Sequence, residues 1–226
     1  IRDISLEVRA GEIVGLAGLV GSGRTEVARA IFGADPIAAG SMTLFGAPLS
    51  GGPDATSRRG IALIPENRKQ QGLALIRTVA DNTVLAALER LFPRRFFDPR
   101  RATGVARDMV AKLHIATPST HRLVQVLSGG NQQKVVIAKW LAAGARLFIF
   151  DEPTRGIDVG AKAEIFSLIR ELVSAGAAVL MISSEQSEIV NVCDRAYVMR
   201  DGSIAGHLGG DQLSESAILK LAMHHG

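Results

Sequence analysis

The chain has 226 residues, of which 47% are hydrophobic and 21% are charged. This balance is typical of one globular domain and excludes a disordered acidic or basic tail as the main content. The net charge of +4 is small, and no apolar run approaches the roughly 20 residues that a membrane-spanning helix requires. Nucleic-acid binding would require a long basic stripe or interleaved aromatic residues, so we interpret one basic stretch as a solvated surface: Arg94, Arg95, Arg100, Arg101 and Arg107.

The chain has a single cysteine, Cys193. It cannot form an internal disulfide, so we expect a reducing, cytosolic compartment. The first residue, Ile1, lies in a strand-like pattern, with neither an initiator methionine nor the features of a secretory signal. We therefore interpret the chain as a segment of a longer polypeptide.

Short strands and one helix are predicted for the N-terminal part of the chain. Ile4, Leu6 and Val8 alternate with polar residues and lead through a turn into the apolar run 13–17. This pattern predicts an opening β-hairpin. The other elements predicted here are a helix at 25–32 and short edge strands at 41–45 and 60–64.

The middle of the chain is predicted to be helical, and the last part to alternate strands with helices. Helices are predicted at 78–92, 99–114 and 131–143. After them we expect a strand at 147–150, a helix at 159–174, a strand at 177–182, a helix at 185–192 and a strand at 196–199. Because continuous apolar strands flank a long helix, the pattern indicates an α/β fold whose parallel sheet is covered on both faces.

A glycine-rich segment, GLVGSGRT, follows the first apolar strand. Its glycines, basic residue and hydroxyl have the spacing of a phosphate-binding loop, and it lies between a strand and a helix as such a loop must. Glycine lets successive backbone N–H groups converge on phosphate oxygens, and a threonine hydroxyl can bind Mg²⁺. An ordinary glycine turn is the alternative. The candidate nucleotide-binding residues are Gly18, Gly21, Ser22, Gly23, Arg24, Thr25 and Glu26.

Two residues of this loop are unusual for phosphate binding. Arg24 stands where the pattern has lysine, and a planar guanidinium does not replace a compact ammonium without changing the geometry. Glu26 puts a carboxylate in the first turn of the helix, where it would repel a polyanion. The charge of the loop is therefore kept, but its fit to a triphosphate is altered.

Two adjacent carboxylates follow the strand predicted at 147–150. Asp151 would hold Mg²⁺, directly or through water, and Glu152 would polarise the water that attacks a γ-phosphoryl group. Such a pair alone is a weak signal. Beside a phosphate loop it is a strong one, because the metal needs a carboxylate opposite the nucleotide.

The helix predicted at 131–143 follows the segment LSGGNQQK. A serine at the cap position and two glycines are typical of a plain helix start, and they can also form an anion site at the helix N-terminus. The candidate ligands in this segment are Ser128, Gly129, Gly130 and Gln132.

Taken together, the phosphate loop, the segment 127–134 and the run DEPTRGID at 151–158 resemble an ABC transporter nucleotide-binding domain. The resemblance covers nearly the whole chain. It implies a P-loop NTPase fold with a RecA-like core, an N-terminal antiparallel β lobe and a helical sub-lobe. In this family the segment 127–134 is called the signature. The resemblance divides the single domain 1–226 into a β lobe with the phosphate loop (1–64), a Q-loop-like segment (65–77), a helical sub-lobe with the signature (78–143), and the second half of the core with the C-terminal segment (144–226).

The segments GSGRTE, PENRK and SGGNQQK narrow the resemblance to the C-terminal ATPase half of ribose, galactose and xylose-type sugar importers. This resemblance implies ATP and Mg²⁺ as cofactors. It implies as partners the N-terminal ATPase half of the same polypeptide or another ABC domain, membrane permease subunits and a periplasmic sugar-binding protein, with no nucleic acid. It also implies a peripheral location on the cytoplasmic face of the inner membrane.

Four departures from the family pattern lie on its nucleotide face: Arg24 for lysine, Glu26 for a hydroxyl residue, Glu66 for the glutamine that senses Mg²⁺, and Ser184 for the switch histidine. We therefore expect a degenerate nucleotide site in this domain and a signature that completes the competent site of the partner half. In this scheme Glu152 is the catalytic residue, Ser184 contacts the nucleotide, and the metal ligands are Thr25, Glu66 and Asp151.

Two other functions stay open. A non-hydrolysing regulatory nucleotide-binding domain would explain the four departures, but the intact pair Asp151 and Glu152 argues against it. A soluble ABC-type ATPase that acts on nucleic acid would usually carry a long coiled coil or a basic arm, and the sequence has neither.

Overall fold

The computed structural model describes residues 1–93 and 96–223. Arg94 and Arg95 of the basic stretch lie outside the described residues. The strands are β1 (Ile13–Gly18), β2 (Met42–Leu44), β3 (Ala47–Leu49), β4 (Ile61–Ile64), β5 (Leu147–Asp151), β6 (Ala178–Ile182), β7 (Arg195–Arg200) and β8 (Ser203–Gly209). The helices are α1 (Arg24–Phe32), α2 (Pro53–Arg58), α3 (Val79–Val84), α4 (Leu88–Leu91), α5 (Pro99–Lys112), α6 (Gly129–Ala143), α7 (Val159–Ser174), α8 (Gln186–Val192) and α9 (Glu215–Met223).

The main sheet has six strands in the order β4-β5-β6-β1-β7-β8. β1 lies between β6 and β7 and runs parallel to both, and β5 runs parallel to β6. The apolar runs of β1, β5 and β6 are almost wholly buried, as expected of parallel strands covered on both faces. Ile182 pairs with both Leu16 and Asp151, so the carboxyl ends of β1, β5 and β6 meet at one edge, where ligands bind in open α/β sheets.

The opening β-hairpin predicted from the alternation of Ile4, Leu6 and Val8 is wrong. These residues pack against the core of the sheet, but they form no strand. Both hydrogen-bonding edges of β1 are occupied by β6 and β7, so no edge of β1 is left for a hairpin partner. Side chains bind the backbone of this segment instead: the Glu7 N–H donates to the Tyr197 hydroxyl, and Arg195 donates to the Glu7 carbonyl.

A small second sheet pairs β2 with β3 in antiparallel register. Phe45 and Gly46 join the strands with positive φ values of 50° and 79°, which is the geometry that tight two-residue hairpins require. The strand predicted at 41–45 is confirmed, whereas β3 and α2 were not predicted. The strand predicted at 60–64 is also confirmed, and as β4 it forms an edge of the main sheet beside β5.

The chain forms two compact units. The first, built on the main sheet, comprises Ile1–Leu63, Arg146–Pro153 and Ile169–Gly226, and the second comprises Ile64–Ala145 and Thr154–Leu168. In the second unit α3 packs on α5 and α6. Thr78 and Asp81 form a capping box at the start of α3, which fixes where this helix begins.

Most of the predicted helices are confirmed. The helix predicted at 78–92 is interrupted by a 3₁₀ turn, Leu85–Ala87, which separates α3 from α4. A π-helical turn, Arg68–Gly72, and the C-terminal pair β8 and α9 were not predicted. Within residues 1–93 and 96–223, no helix combines the length and the apolar character needed to span a membrane.

Candidate functional site

Gly18 ends β1 in a backbone conformation that side chains rarely adopt. Its φ is +150°, and a Cβ at this position would lie 2.5 Å from the Met199 carbonyl oxygen and 2.6 Å from Ser22 Oγ. Gly18 is paired with Met199 on β7, so any side chain here would push the loop away from the sheet. The phosphate loop therefore begins where two stretches of chain approach too closely for a side chain.

The rest of the loop leads directly into α1. Gly21 and Gly23 have φ values of 82° and 98°. Gly23 is the N-cap residue, and its carbonyl accepts from the Val27 N–H at 3.1 Å, but it has no side chain that could cap the N–H groups of residues 24–26. Those groups remain for an anion. Ser22 Oγ is buried without a hydrogen-bond partner among the described residues, an unsatisfied polar atom that a phosphate oxygen or a water would satisfy.

Arg24 folds back into the protein and is 8% exposed. Its Nη1 donates to the Gly18 carbonyl at 2.6 Å and to the Ser183 carbonyl at 2.9 Å. Its Nη2 lies 3.9 Å from Glu152 Oε1. Burial lowers the pKa of Arg24, while the charges of Glu152 and Asp151 oppose that shift. The guanidinium is therefore bound to main-chain groups at the ends of two strands, β1 and β6.

Asp151 and Thr25 lie side by side, as the sequence predicts. The Thr25 hydroxyl donates to Asp151 Oδ1 at 3.3 Å. Burial raises the pKa of Asp151 to about 6, and the negative charges of Glu152 and Glu26 add to this shift. The hydrogen bond from Thr25 and the positive charge of Arg24 oppose it. Glu26 itself is exposed in the first turn of α1.

These two side chains suit a magnesium ion. Hydroxyl and carboxylate oxygens are the ligands that Mg²⁺ prefers, and Mg²⁺ usually takes the rest of its shell from phosphates and water. In the described part of the chain, no group of three or more His, Cys, Asp and Glu side chains could hold a metal. Thr25 and Asp151 therefore fit an ion that arrives with a nucleotide better than an ion held by the protein alone.

Glu152 directly follows β5 and has a positive φ of 49°. Its N–H donates to the Ile182 carbonyl at 3.0 Å, which keeps the residue at the edge of the sheet. Its Oε2 accepts from the Ser184 hydroxyl at 3.1 Å. The structure thus brings Glu152, Ser184 and Arg24 together, three residues that the sequence assigns to the nucleotide site.

The signature segment begins α6 in the second unit. Ser128 is the N-cap residue, and its Oγ accepts from the Asn131 N–H at 3.5 Å and from Asn131 Nδ2 at 2.9 Å. A Cβ on Gly129 would lie 2.6 Å from Arg68 Nη2, and a Cβ on Gly130 would lie 2.8 Å from Ala161 Cβ. Close packing thus leaves no room for a side chain at Gly130, and a side chain at Gly129 would displace the buried guanidinium of Arg68.

Gln132, the other candidate ligand of the signature, is 3% exposed. Its Nε2 donates to the carbonyls of Val124, Gln125 and Leu127. Its Oε1 is buried without a partner among the described residues. The side chain therefore holds the chain that precedes Ser128, and so little of it is exposed that a ligand could hardly reach it.

Glu66 also belongs to the second unit, where it forms an ion pair with Arg155. Its neighbour Arg68 is 8% exposed and donates to the carbonyls of Arg155 at 2.8 Å and of Gly156 at 3.0 Å. Burial lowers the pKa of Arg68. Arg68 lies in the segment PENRK, but the sequence does not reveal its function, because a contact with main-chain carbonyls leaves no pattern in the sequence.

A family model described as ABC transporter matches residues 1–155. The chain belongs to the ABC transporter family. The ribose import ATP-binding protein RbsA 1 of Rubrobacter xylanophilus is 50% identical over 224 residues, which cover 98% of this chain and 45% of that protein. The putative ribose/galactose/methyl galactoside import ATP-binding protein 1 of Rhizobium meliloti is 49% identical over 224 residues, which cover 99% of this chain and 45% of that protein. The chain thus spans about half the length of these curated relatives.

Solved ABC cassettes have the same fold. A nucleotide-free ATP-binding cassette from an ABC transporter matches with a TM-score of 0.80 and 21% identity, over 98% of this chain and 92% of that one. The ADP conformation of an ATP-binding cassette of an ABC transporter matches with a TM-score of 0.80 and 21% identity, over 98% of this chain and 91% of that chain. The predicted α/β P-loop NTPase fold with a small antiparallel sheet is confirmed.

Proposed function

We propose that this chain is an ATP-binding domain of a sugar ABC importer, which couples ATP binding and hydrolysis to monosaccharide uptake. The observation that carries the proposal is the phosphate loop whose Thr25 hydroxyl lies 3.3 Å from Asp151. The names of the relatives support sugar import. On this proposal the domain works with membrane permease subunits and a periplasmic sugar-binding protein, at the cytoplasmic face of the inner membrane.

The partner in catalysis is the N-terminal ATPase half of the same polypeptide or another ABC domain. The 45% coverage of the relatives is consistent with a second half of similar size. Within the proposed domain, 1–64 form the β lobe with the phosphate loop, 65–77 the Q-loop-like segment, 78–143 the helical sub-lobe, and 144–226 the remaining core. Ser128, Gly129 and Gly130 complete the partner's nucleotide site, and Gln132 positions the segment that carries them.

The contacts at this domain's own site support a role for each of its residues. Amides of the phosphate loop and of the first turn of α1 bind phosphate, Thr25 and Asp151 hold Mg²⁺, and Glu152 orients water. Bound Mg²⁺ would neutralise phosphate charge. Glu66, which the sequence proposes as a third metal ligand, forms an ion pair with Arg155.

This site is proposed to be poor at hydrolysis. Both hydrogens of Arg24 Nη1 are used on main-chain carbonyls, and a serine hydroxyl rather than an imidazole contacts Glu152. Each missing group that stabilises charge on a transferred phosphoryl group can cost on the order of 10²-fold in rate. The competent site is therefore assigned to the partner half.

ATP hydrolysis by the full chain, measured alone and then with the partner half, tests the proposal. We expect slow turnover alone and a large rise with the partner, because the signature completes the partner's site. Rapid turnover by the chain alone would contradict the degenerate site. Tight MgATP binding with no turnover in the pair would favour the regulatory alternative, which the engaged Arg24 also supports.

A further inference from the structure

Arg24 joins two segments that are far apart in the sequence. One guanidinium nitrogen, Nη1, donates to Gly18 at the end of β1 and to Ser183 just after β6. A guanidinium offers five donors in a planar fork, so two donors can hold the protein while others stay available. The Nε and Nη2 edge makes no hydrogen bond to the described residues, and its nearest charged group is Glu152, 3.9 Å away.

The Ser183 carbonyl, which accepts a hydrogen bond from Arg24, is itself held in place. Ser183 is 2% exposed, and its hydroxyl donates to Glu188 Oε2 at 2.7 Å. The same hydroxyl accepts from the Glu185 N–H at 3.1 Å. Glu188 lies on α8 and is 5% exposed. A buried carboxylate accepting a short hydrogen bond makes a strong anchor.

We propose that Glu188 and Ser183 are positioning residues for Arg24. Glu188 and the Glu185 N–H fix the Ser183 hydroxyl, these hydrogen bonds hold the backbone at Ser183, and the Ser183 carbonyl sets the orientation of the guanidinium. The remaining edge of the guanidinium, Nε and Nη2, can donate two parallel hydrogen bonds to a phosphate. The relay Glu188–Ser183–Arg24 thus adapts this loop to arginine, and its effect on ligand binding rests on the proposed function as a nucleotide-binding domain.

The relay explains why a lysine at 24 would not restore an ordinary phosphate loop. An ammonium has three donors on one atom and no planar edge. Lysine that reached the two carbonyls would have little left for a phosphate, and lysine that reached the phosphate would release Ser183. We therefore expect that Arg24→Lys does not raise MgATP affinity above that of the native chain.

A double-mutant cycle between Glu188 and Arg24 tests the relay. MgATP affinity is measured by calorimetry on the full chain, with and without Glu188→Ala, in the native background and in Arg24→Met. We expect Glu188→Ala to weaken binding roughly 3- to 10-fold with Arg24 present and hardly at all with Arg24→Met, because the loss passes through Arg24. Glu188→Gln keeps an acceptor for the Ser183 hydroxyl and should stay within about twofold of the native chain.

Two controls make the cycle decisive. Ser187→Ala changes an exposed residue next to Glu188 on α8 and should leave affinity unchanged. Ser183→Ala removes only a hydroxyl. If Glu188→Ala fails to fold, the cycle with Arg24→Met is measured with Ser183→Ala in its place. Equal losses with and without Arg24 would overturn the relay, because Glu188 would then support only the fold.

A urea-unfolding cycle with the same variants separates the relay from the proposed function. Non-additive changes in the unfolding midpoint for Glu188→Ala and Arg24→Met support the relay whether or not nucleotide binds. Non-additivity in a chain that binds no MgATP would keep the relay and overturn the nucleotide-binding role. Additive changes would overturn the relay itself.

Discussion

Asp151 is a buried carboxyl whose pKa is raised mainly by its burial. It is 3% exposed, and its pKa rises from 3.8 to about 6. A carboxyl with a raised pKa binds protons more tightly in the native state than in the unfolded chain. Its contribution to stability is therefore fully present below the unfolded pKa and is lost as the pH rises through the folded pKa.

We expect the free energy of unfolding without nucleotide to fall between about pH 4 and pH 6, and Asp151→Asn to remove most of that fall. At about 1.4 kcal/mol per pKa unit, the variant should be more stable at pH 7 by up to about 3 kcal/mol. Urea unfolding across this pH range measures the effect. Asp211→Asn, a change at an exposed carboxylate, should alter the unfolding free energy by less than about 0.5 kcal/mol. An unchanged pH profile in Asp151→Asn would assign the dependence to other groups.

At the scale of single residues, the sequence predicts side chains that act through their own chemistry. Thr25, Asp151 and Glu152 are recognisable because a hydroxyl after a glycine-rich loop and two carboxylates at the end of a strand are the pattern expected of a metal and phosphate site. Ser183 and Glu188 were missed. They act through a main-chain carbonyl that any residue could supply, so their side chains do not reveal the contact.

At the scale of elements, glycine has opposite roles in two neighbouring helices. Gly130 in α6 faces Ala161, and a Cβ there would lie 2.8 Å from the Ala161 Cβ. Gly104 lies inside α5, and a Cβ there would meet nothing within 4 Å. Packing requires the first glycine, whereas nothing in the structure explains the second.

Alanine substitutions should therefore change stability in opposite directions. Gly130→Ala should lower the free energy of unfolding by about 1–3 kcal/mol, because two Cβ atoms cannot approach this closely without moving a helix. Gly104→Ala should raise it by about 0.5–1 kcal/mol, because alanine favours the helix interior. Thermal or urea unfolding of both variants measures the difference. Equal effects would mean that α6 can shift freely away from Ala161.

Sequence patterns predict the long helices well and the N-terminal segment and β8 poorly. Long periodic helices such as α5 and α7 were predicted within about two residues of their ends, which is the usual uncertainty of boundaries. The alternation at Ile4, Leu6 and Val8 indicates which side chains are buried, and burial alone does not require a strand. β8 was missed because its two glycines, Gly206 and Gly209, weaken the strand pattern.

At the scale of the whole molecule, the proposal requires Ser128 to act on a nucleotide held by another domain. Ser128 is exposed and its hydroxyl caps α6. Ser128→Arg should abolish ATP turnover of the assembled pair, because a long cation fills the place of a phosphate. The fold should lose only about 1 kcal/mol, the usual cost of a lost N-cap.

Gln125→Arg is the matched control, since it adds the same charge at an exposed position close in sequence. It should leave turnover of the pair within about twofold of the native rate, as surface changes away from a site usually do. Circular dichroism checks that both variants fold. Turnover that survived Ser128→Arg would show that the partner's site does not need this signature.

Because the backbone of Glu152 is left-handed, the residue that would be most stable at this position is not the one proposed to act on water. Its φ of 49° costs a residue with a side chain about 1–2 kcal/mol, and glycine or asparagine would avoid much of that cost. A mutant library screened only for resistance to heat should therefore enrich replacements at 152. On the proposed assignment, such a screen would discard the carboxylate that orients water at this domain's own site, whereas the partner's site would keep its turnover.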